Sequence, residues 1–137
     1  MSTSVGNIID QLAIIIDTVA AIKTIYKYLP RTPDTNVTAS IYYDSARFEP
    51  AEVNSHWAFY KFEIIIYIPM HNEKTMQADQ VTYGDSVMDA LRAKPSLSDT
   101  CQGYTIDELK NDYVKAANGN IYGIVLIAIT VRKEEDL

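Results

Sequence analysis

Residues 59–68, FYKFEIIIYI, decide how the rest of the chain is read. Side chains alternate faces along a β-strand, so Tyr60, Phe62, Ile64, Ile66 and Ile68 form one unbroken apolar row. The other row, Phe59, Lys61, Glu63, Ile65 and Tyr67, mixes charge with apolar bulk. The first row needs a core. The second is only partly accounted for, and in a chain of 137 residues the question is what covers Ile65 and Tyr67. A second copy of the same chain is the cover expected from sequence.

Working outward, the strand starts near His56 and runs to Ile68, where Pro69 ends it because proline has no N–H for the ladder. Upstream, VTASIYY (37–43) alternates Val37, Ala39, Ile41 and Tyr43 against Thr38, Ser40 and Tyr42, a second strand able to pair with the first. Between them, DSARFEPAEVNS (44–55) is polar and contains Pro50, and reads as a long inter-strand loop. It exceeds the usual hairpin connection of about two to five residues. Phe48 and Val53 on it stay exposed unless something docks there. Before these strands, PRTPDTN (30–36) is a loop by its prolines and turn formers. The glycosylation-like NVT (36–38) is read as the turn into the strand.

At the N-terminus, Ser4 is a plausible N-cap, and Ile8, Leu12, Ile15, Val19 and Ile22 recur at helical spacing, with Ile9, Ile14 and Ile16 broadening the stripe. The pattern changes to β-branched and aromatic residues in IKTIYKYLP (22–30), read as a strand over 22–29, with a continued helix as the rival. A second helix is expected from Met76 to Lys94 on Val81, Val87, Met88 and Leu91, stopped by Pro95. TYGD (82–85), resembling a capping box, offers a rival start near Tyr83.

Residues 96–117 are the least legible stretch. YTIDELKNDYVKAA (104–117) has Ile106, Leu109, Tyr113 and Ala116 at helical spacing, yet it runs into Asn118-Gly119, a hairpin signal that favours a strand ending near Ala117. NIYGIVLIAITVR (120–132) is apolar on both rows and belongs at the middle of a sheet. The charged tail 133–137 is expected to fray. The result is one domain, 1–137, of α+β class: a mostly antiparallel β-sheet with two main helices packed on one face.

Composition excludes several function classes. A net charge of −6 and a pI near 4.8 oppose binding to a phosphate backbone, while suiting a surface that DNA slides past. Cys101 is the only cysteine, which rules out an intramolecular disulfide and a Cys-based zinc cluster and fits a reduced intracellular setting. The N-terminal apolar run lacks a basic leader and is interrupted by Asp10 and Asp17, so it reads as a soluble helix and no membrane association is expected. His56 and His71 are not at metal-ligand spacing, Cys101 has no activating neighbour, and no nucleophile elbow, phosphate loop or zincin motif occurs. Adjacent carboxylates such as Asp107-Glu108 and Glu134-Glu135 read as solvated charge. No catalytic residue, cofactor or metal is expected. The ten tyrosines suit strand positions and contact surfaces alike.

In sequence order, the helical N-terminus, IKTIYKYLP, NVTASIYY, the long connection, WAFYKFEIIIYIP, DSVMDALRA and GNIYGIVLIAITVR resemble the tail terminator (tail completion) proteins of long-tailed bacteriophages over residues 4–132. The resemblance implies a non-enzymatic virion protein, a homo-oligomer closing as a hexameric ring at the head-proximal end of the tail. The ring would cap the tail tube protein and present a surface to the head connector or stopper protein. Genome DNA would pass through its lumen without sequence-specific binding, and assembly would take place in the host cytoplasm. In that reading Phe48, Glu49 and Val53 contact the tube or a neighbouring subunit, and Ile65 and Tyr67 are buried between subunits. Another neck or tail-tube component is an alternative. So is a small ligand-binding or enzymatic α+β domain with a pocket of Tyr and His.

Overall fold

The computed structural model describes residues 4–70 and 73–136. In chain order the elements are α1 (Ser4–Asp17), β1 (Thr24–Tyr26), β2 (Thr38–Glu52), β3 (Ser55–Pro69), α2 (Glu73–Arg92), β4 (Gly103–Lys115) and β5 (Ile121–Asp136). This is the α+β order expected from sequence. The sheet runs β1-β2-β3-β5-β4, with β1–β2 parallel and the other described pairs antiparallel.

FYKFEIIIYI lies in β3, the strand between β2 and β5. Ile64 stands between Ile41 and Ile127, Phe62 between Tyr43 and Ile129, and Ile66 between Ala39 and Val125. This row is buried beneath both helices, by Ile8, Leu12, Ile15 and Ile16 of α1 and Met76, Val87 and Leu91 of α2. Each such side chain contributes about 1.5–3 kcal/mol by leaving water. Two details fix α2 against β5. A Cβ on Gly123 would stand 2.3 Å from the Met76 sulfur, so only glycine admits that approach. The buried Gln80 amide donates to the carbonyls of Asp112 and Ile124 at 2.9 and 3.0 Å. β5 has partners on both sides, as its doubly apolar sequence requires.

Several expectations are corrected. Residues 44–55 are not a loop: β2 continues to Glu52, β3 begins at Ser55, and only Val53 and Asn54 make the turn. The segment is polar because most of β2 beyond Ile41 is exposed, with no layer over it. Pro50 is tolerated because β1 pairs β2 only at residues 38–40, which leaves an outer edge where a missing N–H breaks no ladder. Register shifts at Tyr43/Ser45 and Pro50/Glu52 absorb the irregularity.

The tail does not fray within the described residues. β5 continues to Asp136 because the long β3 supplies partners as far as Ser55. α1 is shorter than its apolar stripe: Thr18 donates both its amide and its hydroxyl to the Ile15 carbonyl and closes the last turn, leaving Val19 and Ile22 beyond it. The strand expected over 22–29 contracts to Thr24–Tyr26, the only residues with a partner on β2. α2 starts at Glu73, well before Thr82, whose carbonyl accepts from the Ser86 hydroxyl inside the helix. Met76 and Gln80, anchored on the sheet, hold the turns upstream of the capping-box look-alike.

Residues 104–115 form strand β4, against their helical spacing, because β5 offers a backbone partner along the whole segment. Gly119 adopts φ +87° in the connecting turn, the left-handed conformation for which glycine is suited.

Candidate assembly surface

The face of the sheet turned away from the helices carries the second row of β3. At one end that face is closed by the chain itself. Tyr67 is 7% exposed; its ring meets Tyr122 edge-on at 6.3 Å, and its hydroxyl accepts from Ser40 at 3.5 Å. Tyr122 in turn donates to the Pro33 carbonyl at 2.8 Å, which ties the 30–36 loop to this end of the sheet. Burial pushes the Tyr67 hydroxyl pKa up, with the Ser40 hydrogen bond acting the other way. Tyr67, expected between subunits, is thus already buried within its own chain, against Tyr122 and Ser40.

Ile65 differs. It lies beside Ser40 and Leu126 and is half-buried, as are Ile124, Leu126 and Ala128 on β5. Tyr42 and Val114 extend this apolar ground at its margins, each 38% exposed. Lys110, Glu108 and Glu63 stand around it by register.

From the level of Phe59, where β4 ends its pairing at Gly103, the sheet continues as an arm made of the β2–β3 hairpin and the end of β5. Phe48 and Glu49 sit on opposite faces of it, as strand alternation dictates. On the helix side, the Phe48 ring meets His56 at 5.1 Å and Tyr60 at 6.3 Å, yet remains 57% exposed. On the other side, Glu49 pairs with Arg47, whose guanidinium lies 4.3 Å above the Phe59 ring. Arg132 stacks likewise over Trp57 at 5.1 Å. Val53, at the tip, is 92% exposed.

A polar cluster fastens the arm. Tyr60 donates to both oxygens of Glu135, His56 lies 3.2 Å from one of them, and Lys133 donates to the Ser4 hydroxyl at 3.2 Å. The Tyr60 pKa is pushed well up by burial, then by the Glu135 hydrogen bond and charge. Burial acts to raise the Glu135 pKa, but hydrogen bonds with Ser4, Tyr60 and His56 and the charge of Lys133 outweigh it and hold the carboxyl below its usual value. Glu135 is thus a held carboxylate and not the solvated charge expected. Asp107 is likewise engaged, by the hydroxyls of Thr105 and Thr130.

The clefts of this face are lined by backbone, aromatic, hydroxyl and charged groups. The largest of those bordering Phe59 holds about 300 Å³. Cys101 is buried, and its thiol pKa is raised chiefly by that burial. Among the described residues no group of His, Cys, Asp and Glu could hold a metal ion, and no helix is long and apolar enough to cross a membrane. His71 lies outside the described residues.

No family model and no curated protein matches the chain. Among solved structures, a chain of the "Virion of native gene transfer agent (GTA) particle" is similar at 14% identity, over 93% of this chain and 92% of that one, with a TM-score of 0.48.

Sequence reasoning placed Phe48, Glu49, Val53 and Ile65 on exposed or half-exposed ground, and the fold gathers the first three onto one arm. It missed Arg47 and Arg132, which come beside Phe59 only through the β2–β3–β5 register. It also missed the cluster around Glu135, whose members span 131 positions of the chain, from Ser4 to Glu135. The one available signal was the charged tail itself, read as frayed.

Proposed function

We propose that this chain is a structural virion subunit of a long-tailed phage. In this role it closes into a ring at the head-proximal end of the tail, stops tube polymerisation and provides the head-joining surface. The observation that carries the reading is the arm: a strand hairpin on which Phe48 is 57% and Val53 92% exposed. Exposed apolar residues on the hairpin, together with half-buried Ile65 and Leu126 farther along the open sheet face, suit a subunit completed by its neighbours. The element order that resembles tail terminators supports the specific position, and the hexameric ring follows from that resemblance alone. A net charge of −6 suits a lumen through which DNA moves without adhering.

In this reading Phe48 and Val53 meet the tube protein or an adjacent subunit, and Ile65 lies between subunits. Mixing the purified protein with polymerising tail tubes tests the proposal by electron microscopy. A terminator halts growth and appears as a cap at one end. Incorporation along the tube instead indicates a tube subunit, and no association with tubes overturns the capping role.

A further inference from the structure

Two patches on the arm are complementary to each other, and within one molecule the hairpin tip cannot reach the row. The first is a row across the face turned away from the helices. Arg47 on β2, Phe59 on β3 and Arg132 on β5 are direct neighbours by register, with Lys61 next along β3 on the same face. Arg47 stacks on Phe59, and Arg132 on Trp57. A cleft lies on each side of Phe59, one of about 300 Å³ reaching Gly103, Thr130 and Arg132, the other of about 270 Å³ reaching Ser45, Arg47 and Lys61. The nearby carboxylates are Glu49, paired with Arg47, Glu134, opposite Trp57 and accepting from the Ser55 hydroxyl, Asp107, held by Thr105 and Thr130, and Glu63, farther along β3. Lys61 and Arg132 form no ion pair among the described residues.

The second patch is the hairpin tip. Val53, 92% exposed, shares its cleft with Glu52, Glu134 and Asp136, and no Lys or Arg lines that cleft. The tip is an apolar knob among three carboxylates; the row is an aromatic ring bracketed by cations. Val53 and Phe59 are separated by six positions of nearly extended chain, about 20 Å at about 3.3 Å per residue, and the tip points away from the row.

We infer that the Arg47–Phe59–Arg132 row receives the acidic hairpin tip of a second copy of this chain. The inference rests on the reading of the chain as a self-assembling subunit, and it names the contact. Because two different patches meet, the contact is heterologous and closes into a ring when the rotation between neighbours allows. Guanidinium groups already stacked on aromatic rings are held in place for carboxylates, and opposed charge sets the register of approach.

Charge reversal tests it. Size-exclusion chromatography with light scattering follows three chains: Lys61→Glu with Arg132→Glu, Glu52→Lys with Asp136→Lys, and all four changes together. Each reversed pair alone is expected to weaken self-association at least about tenfold, and the fourfold reversal to restore it. Circular dichroism verifies that each chain is folded. Wild-type assembly unaffected by either pair overturns the contact while leaving a ring intact. Loss in both pairs without restoration also overturns it, and points to another acidic partner for the row. A wild-type chain that stays monomeric at every concentration overturns the self-assembling reading itself.

Discussion

The Tyr60 hydroxyl donates to both carboxylate oxygens of Glu135, at 2.8 and 2.9 Å, across 75 positions of sequence. The bond ties the end of β5 to the central strand. With His56 on the same carboxylate and Ser4 in reach from α1, it holds the base of the arm to the helical layer.

Glu135→Gln removes the charge that these donors serve, and Tyr60→Phe removes the main donor. Each is expected to cost about 1.5–3 kcal/mol of unfolding free energy, the range for hydrogen bonds to a charged group, read by urea denaturation. The pH dependence has a definite sign. The folded state holds the Glu135 pKa below its ordinary value of about 4.5, so the stabilisation is fully present above that value and is lost as pH falls through the depressed one. Stability should decline on acidification below about pH 4.5 in the wild type, and less steeply in Glu135→Gln. Parallel curves for the two chains would remove Glu135 from this role.

Tyr67 and Ile65 should separate folding from assembly. Tyr67→Asp places a charge among Tyr122, Ser40 and the Pro33 loop, and is expected to destabilise the monomer by about 3 kcal/mol or more. Ile65→Ser, at a half-buried site, should leave the chain folded and lower its association state. Thermal denaturation and light scattering on both variants read the two effects, and a Tyr67→Asp chain as stable as wild type would contradict the burial of Tyr67 within its own chain.

Thr38 is fully buried between β1 and β3, and its hydroxyl has no hydrogen-bond partner among the described residues. Replacing it with the similarly shaped valine removes an unsatisfied group. Thr38→Val is expected to gain about 1 kcal/mol in denaturant unfolding.

Leu97, Ser98 and Asp99 have φ of 48°, 57° and 66°, three consecutive non-glycine residues in the left-handed region between α2 and β4. The fully buried Leu97 side chain and the Ser96–Asp99 hydrogen bonds hold this turn. A left-handed residue with a Cβ costs about 1–2 kcal/mol, while glycine loses about 0.5–1 kcal/mol in chain entropy. Ser98→Gly, which keeps those contacts, should therefore stabilise by roughly 0.5–1 kcal/mol, measured as a rise in the denaturation midpoint.

Legibility in the sequence followed how local each cause is. The β3 row from Tyr60 to Ile68, the α1 stripe from Ile8 to Ile15 and the doubly apolar β5 announce themselves, because periodicity and burial coincide there. The polar β2 extension through Pro50 and the ordered end of β5 do not, and β4, with its helical spacing, is signalled only by the Asn118-Gly119 turn. Each is held by backbone pairing to a distant strand, and a strand open to water carries no apolar signature. The same cause hid part of the candidate surface: Phe48 and Val53 were visible as stranded apolar residues, but Arg47 and Arg132 flank Phe59 only once three strands are in register.

Light scattering of the purified chain over rising concentration, with electron micrographs of the same samples, tests self-assembly most directly. A ring-forming subunit gives closed particles of one size, six copies each if the likeness to tail terminators extends to ring order. A single species of 15.4 kDa at the highest concentration reached, with no rings on the grid, would contradict it.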